Sequence, residues 1–130
     1  MLIFLSATVF ADENLEKKLL GKHMFSLQWV SWEKFGTANV YQENNQLKIR
    51  ARQELNGDYV TLDGVIEPVD SKSFYFNGDV VTRVSHIAQG QECKRSGKFF
   101  FKATGKRKYW RMQEMDNPCD GVVDYIDVYF

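Results

Sequence analysis

From Gly21 to the last residue the chain abandons helical spacing and alternates apolar with polar residues, a pattern that a half-buried, pleated strand satisfies. The stretch "FSLQWVSW" sets Phe25, Leu27 and Trp29 on one side, and "QLKIRARQEL" sets Leu47, Ile49 and Ala51 against Lys48, Arg50 and Arg52. In "DYVTLDGVIEPV" one face carries Val60, Leu62 and Ile66, and in "DYIDVYF" Ile126, Val128 and Phe130 alternate with Tyr125, Asp127 and Tyr129. "GTANVYQ" reads as a further short strand. Asn56-Gly57 and Asn77-Gly78 each lie between such runs, and both residue types tolerate the positive φ of a type I′ turn, so each is expected to close a β-hairpin.

One segment keeps a helical pattern. In "DENLEKKLLG", residues 12–21, Asp12 can cap the first turn, Leu15 and Leu19 share a face, Glu13 and Lys17 are spaced for an ion pair, and Gly21 suits the left-handed position after the last turn. The fold class expected is therefore all-β and mainly antiparallel: a closed or nearly closed barrel of about eight or nine strands with one short N-terminal helix, a β-sandwich being the alternative. A chain of 130 residues holds one such domain, expected over residues 12–130.

The opening "MLIFLSATVFA", residues 1–11, is a short apolar run that turns acidic at Asp12 and Glu13. It is too short to span a bilayer and reads as a truncated signal peptide, the other reading being a strand of the fold. Export, to the periplasm or beyond the cell, makes a disulfide between Cys93 and Cys119 the expected state of the two cysteines. A metal site would need more ligands, and His23 and His86 are not at ligand spacing from either cysteine. No metal and no cofactor is expected.

Enzymatic signatures are absent from the sequence. There is no serine elbow and no phosphate loop, and "GKRK" at 105–108 lacks the upstream glycine and the hydroxyl residue of a nucleotide-binding loop. His86, on the same side of its strand as Val84 and Thr82, is expected to be a neutral core histidine, or to line a cavity mouth. Asp124 and Asp127, with Tyr125 and Tyr129, are not expected to work as a catalytic pair, since spacing on one strand does not set two carboxylates across a cleft; Asp127, Tyr125 and Tyr129 are expected to form one solvated or cavity-lining face. A non-enzyme is the expectation.

What stands out is a segregated charge. Between the two cysteines lie Lys94, Arg95, Lys98, Lys102, Lys106, Arg107, Lys108 and Arg111, against only Glu114 and Asp116, in a chain of zero formal net charge. The segment reads as a hairpin, "GKFFFKATG" and "YWRMQEM" joined at a basic tip, with Phe99 and Phe101 inward. Its cations either pair with acidic neighbours such as Asp120, Asp124 and Asp127 or grip an anionic partner; zero net charge and export argue against nucleic acid. Aromatic residues make up 15% of the chain, enough to fill a core or to line the cavity of an eight-stranded barrel.

At "TGKRKYWRMQEMDNPC", "DYIDVYF" and "FSLQWVSWEKFG" the chain resembles a family of small exported bacterial proteins of unknown function. It is also weakly similar to lipocalin-like barrels in size, in the preceding helix, and in an early Trp29 with a late Arg111. It departs from them in having Leu27-Gln28 before Trp29 where they have Gly-x-Trp, and no site residue is carried over. The expected function is that of a monomeric, exported, non-enzymatic binding protein. It would hold a small hydrophobic or anionic molecule in a barrel cavity edged by His86, Arg107, Tyr109, Trp110 and Arg111. The alternative is a protein-interaction module, an inhibitor or envelope factor, that uses the basic hairpin 98–114.

Overall fold

A computed structural model of the protein describes residues 16–130. The expected leader, the start of the helix and the cap at Asp12 lie outside the described residues. Eight antiparallel strands, β1 (Gly21–Leu27), β2 (Gly36–Glu43), β3 (Gln46–Leu55), β4 (Asp58–Asp70), β5 (Ser73–Arg83), β6 (Cys93–Lys102), β7 (Tyr109–Met112) and β8 (Ile126–Tyr129), follow one another around a closed barrel. Closure excludes the sandwich: β8 returns to β1 with Phe25 opposite Val128 and Leu27 opposite Ile126.

Residues 16–19 form a single helical turn, closed by the Leu20 N–H on the Glu16 carbonyl at 2.7 Å. Gly21, directly after the turn, has the positive φ expected, +106°, and opens β1. Leu19 is buried against the barrel, so the turn acts as a lid on this end. His23 ties it down, with one ring nitrogen against the Leu19 carbonyl and Nδ1 2.7 Å from the Tyr129 carbonyl of β8.

The alternation in the sequence becomes the two faces of the wall. Leu47, Ile49, Ala51, Val60, Leu62, Ile66, Phe74, Phe76, Val80, Phe99, Phe101, Trp110, Ile126 and Val128 all point inward and are buried. Asn56-Gly57 is the two-residue β3–β4 turn expected, with φ of 53° and 86° between Leu55 and Asp58. Asn44-Asn45 makes an equivalent turn between β2 and β3, since asparagine too tolerates the left-handed region.

Asn77-Gly78, by contrast, is not a turn. It lies in the middle of β5, where Gly78 pairs with Gly64 of β4 on one side and Gly97 of β6 on the other. A Cβ on Gly64 would stand 2.3 Å from the Asn77 carbonyl oxygen and 2.7 Å from the Gly78 Cα; one on Gly78 would stand 2.3 Å from the Asp63 oxygen. The ring of Phe76 lies over both positions at 2.9 Å. The row of glycines thus lets β4 and β5 approach closely under an aromatic ring, as a bend in a small barrel requires.

The other end of the barrel is closed by side chains that work as caps. Gln53, buried at the end of β3, accepts the Leu27 N–H at 2.8 Å and donates to the Ser31 and Lys34 carbonyls, pinning the β1–β2 loop. The Cys93–Cys119 disulfide joins the start of β6 to the β7–β8 loop, across 26 residues of sequence. A crosslink of this span stabilises a fold by about 2–4 kcal/mol.

Replacing Gly78 with valine is expected to cost about 3 kcal/mol or to prevent folding, because backbone and the Phe76 ring must both give way. Gly97→Ala, whose Cβ would meet open space but whose φ is +145°, is expected to cost about 1 kcal/mol. Urea unfolding of the two variants checks the order; a Gly78→Val protein with the parent midpoint would show that the glycine row does not govern closure.

Candidate functional site

Pairing of the strands divides the basic segment into two sets of cations. In the first set each charge has a use within the fold. Arg95 donates to Asp124 at 3.2 Å and to the Glu114 and Asp116 carbonyls, Lys94 stands 3.8 Å from Asp79, and Lys98 pairs with Glu67 at 3.2 Å. Arg111 grips Asp127 with two hydrogen bonds of 2.8 Å. The second set, Lys102, Lys106, Arg107 and Lys108, is exposed and makes no ion pair with the described residues.

Arg111 and Asp127 correct the expectation of a solvated carboxylate face. Asp127 is 0% exposed although it lies on the outer side of β8. The Arg111 guanidinium roofs it, stacked 4.2 Å from the Tyr125 ring and 5.0 Å from Tyr109. Burial pushes the Asp127 carboxyl above its ordinary range against the pull of Arg111, while the hydrogen bonds to Asp127 raise the guanidinium. Asp124 is likewise pushed up by burial, opposed by its hydrogen bond from Asn117 and by the charge of Arg95. Each carboxylate is thus committed to an arginine, the usual way a buried charge is tolerated.

The five candidate ligand-binding residues do not converge. Arg107, Tyr109 and Arg111 adjoin on the outer surface of one end, with the Arg107 guanidinium 5.7 Å from the Tyr109 ring. Trp110, between them in sequence, faces the opposite way and is fully buried among Phe74, His23 and Phe130, its ring 4.3 Å from that of Phe130. Its Nε1 has no hydrogen-bond partner among the described residues. His86 is at the other end: β5 stops at Arg83, and His86 sits exposed in the following loop with its ring 6.2 Å from Trp29. It is therefore not a core histidine, because the strand that would have carried it inward has already ended.

Nor do the aromatic side chains line a ligand space. Phe74 stacks on Phe101 at 5.0 Å, Phe76 packs against Phe99 and Phe101, and Trp110 closes on Phe74, so of the two readings of the aromatic residues these rings follow the first, filling the core. Between Leu27, Thr82, Val84, Asn117 and Asp124 a cavity of about 10 Å³ remains, room for about one water. Among the described residues no cluster of three or more His, Cys, Asp or Glu side chains is placed to hold a metal, and no helix is long and apolar enough to cross a membrane.

An open groove of about 470 Å³ does exist, outside the barrel, where the helical turn meets β1 and β8. Lys18, Lys22, His23, Met24, Tyr129 and Phe130 line it. Sequence reasoning did not bring these residues together as a site. The signal available was Met24, an apolar side chain at an outward position of β1 between Lys22 and Ser26, and it is 51% exposed.

Arg111→Ala is expected to cost about 3–5 kcal/mol at neutral pH by leaving Asp127 buried without a partner. The sign of the pH dependence follows from burial. A carboxyl raised above its ordinary 3.8 in the fold holds a proton that the unfolded chain has released, so its contribution to stability falls as pH rises above that value. Removing Arg111 extends this window upward. Urea unfolding at pH 7 and pH 4 should show a large deficit at pH 7 that shrinks at pH 4; an equal deficit at both would place the loss in packing alone.

A model of the PM1083 family matches residues 7–130. Over 117 residues, 90% of this chain and 76% of the relative, the sequence is 52% identical to a Pasteurella multocida (strain Pm70) protein named "Uncharacterized protein PM1083". No solved structure matches the chain. With the match covering nearly the whole barrel, the chain belongs to the PM1083 family.

Proposed function

We propose that the protein is a non-enzymatic interaction module of the bacterial cell envelope, which docks an acidic protein partner on the basic tip of its β6–β7 hairpin. The observation that carries this reading is the division of the basic segment: Lys94, Arg95, Lys98 and Arg111 pair with Asp79, Asp124, Glu67 and Asp127, whereas Lys106, Arg107 and Lys108 at the tip make no ion pair with an acid among the described residues. Charges held out from a rigid scaffold in this way steer an oppositely charged partner and set its orientation. The filled interior favours this over a ligand held inside the barrel.

The disulfide supports an oxidising compartment, where such bonds persist. Non-catalytic action is supported by the state of the buried carboxylates, each of which is engaged by an arginine.

The test is amine-reactive crosslinking of the protein in a host envelope extract, with the parent and a Lys106→Glu/Arg107→Glu variant compared. An acidic protein joined through Lys106 or Lys108, weakened by added salt and lost in the variant at unchanged melting temperature, is the expected result. A crosslinked partner retained in the variant, or a variant that no longer folds, would show that the tip is not the docking site.

A further inference from the structure

We infer that the external groove between the helical turn, β1 and β8 is a binding site for a single-chain anionic amphiphile of the fatty-acid class, with its head on Lys18 and Lys22 and its chain along Met24 and Phe130. Its volume falls within the range of about 300–1,000 Å³ typical of small-molecule sites. Two chemistries meet in it. The apolar wall is Met24, Phe130 and the ring of Tyr129, and both Met24 and Phe130 are left exposed by the fold.

The cationic side is crowded rather than neutralised. The Lys18 ammonium lies 3.8 Å from the centre of the Phe130 ring and 5.6 Å from that of Trp110, and neither Lys18 nor Lys22 pairs with an acid among the described residues. Burial, then the charges of Lys108 and Lys72, pull the Lys18 ammonium below its ordinary range, which is the state an incoming anion relieves. His23 contributes shape, since its ring is held between the Leu19 and Tyr129 carbonyls and forms the floor.

Other ligand classes satisfy only half of the groove. A neutral apolar molecule would leave the lysines repelling one another, and a small inorganic anion would leave Met24 and Phe130 in water. The groove adjoins the hairpin tip, where the Phe130 N–H donates to the Lys108 carbonyl at 2.9 Å, but none of Lys106, Arg107 and Lys108 lines it, so substitutions at Lys106 and Arg107 separate this site from the protein-docking role proposed above.

The experiment is an NMR titration of the full chain with dodecanoate below its micelle concentration, read at the Met24 methyl and the Phe130 ring. Dodecyl maltoside and dodecyltrimethylammonium serve as neutral and cationic probes of equal chain length. Saturable shifts with dodecanoate are expected, at least tenfold weaker with either control and at least tenfold weaker in Lys18→Gln/Lys22→Gln, while Lys106→Glu/Arg107→Glu binds as the parent does. Equal binding of all three probes would reduce the groove to an apolar patch and overturn the proposal. So would binding to phosphatidylglycerol vesicles without binding to free dodecanoate, or a sedimenting dimer that buries Met24.

Discussion

The barrel depends on the close approach of β4 and β5 at Gly64 and Gly78. A side chain at either position would strike backbone within 3 Å, and the space it would take is filled by Phe76. With the strands bent there, Phe74, Phe76, Phe99, Phe101 and Trp110 come together as one aromatic cluster. A barrel this tightly curved has its core volume occupied by its own rings, consistent with the interdigitated packing of protein interiors. The proposed recognition is accordingly placed on the surface.

The two ends of the barrel use charge differently. At the disulfide end, Arg95 binds Asp124 and two carbonyls, Arg83 binds Asp58 at 3.2 Å, and Gln53 spends its whole amide on the β1–β2 loop. At the helical-turn end, Lys18, Lys22, Lys106, Arg107 and Lys108 make no ion pair with an acid among the described residues, and Met24 and Phe130 stay exposed beside them. The chain is neutral overall, so this asymmetry is invisible in its net charge and appears only when the strands bring distant lysines to one rim.

Much of the fold was legible because alternation is a local property. The inward rows of β1, β3, β4, β6 and β8, the Asn56-Gly57 turn and the basic hairpin follow from residues close in sequence, whereas the pairing of the cysteines follows from the expected compartment and from there being only two. Asn77-Gly78 misled because its local chemistry is that of a turn; what keeps it within a strand is the close approach to Gly64, which only the register places beside it. The candidate site suffered from a related limit. Trp110 and Arg111 were grouped by sequence although the pleat sends neighbours to opposite faces, and Asp127 pointed outward as expected yet lay buried beneath Arg111 and Tyr125. The groove joins residues 18–24 to the C-terminal strand, a contact with no local signature at all.

The central claim is that the barrel is filled and that binding takes place on its outside. Xenon, which enters dry apolar voids and little else, tests it most directly, through NMR of the protein under xenon pressure. The account predicts no saturable shift at Ile49, Leu62, Phe76 or Phe101, and any response confined to Met24 and Phe130 on the surface. A xenon site among those interior residues would reveal an internal cavity and return recognition to the inside of the barrel.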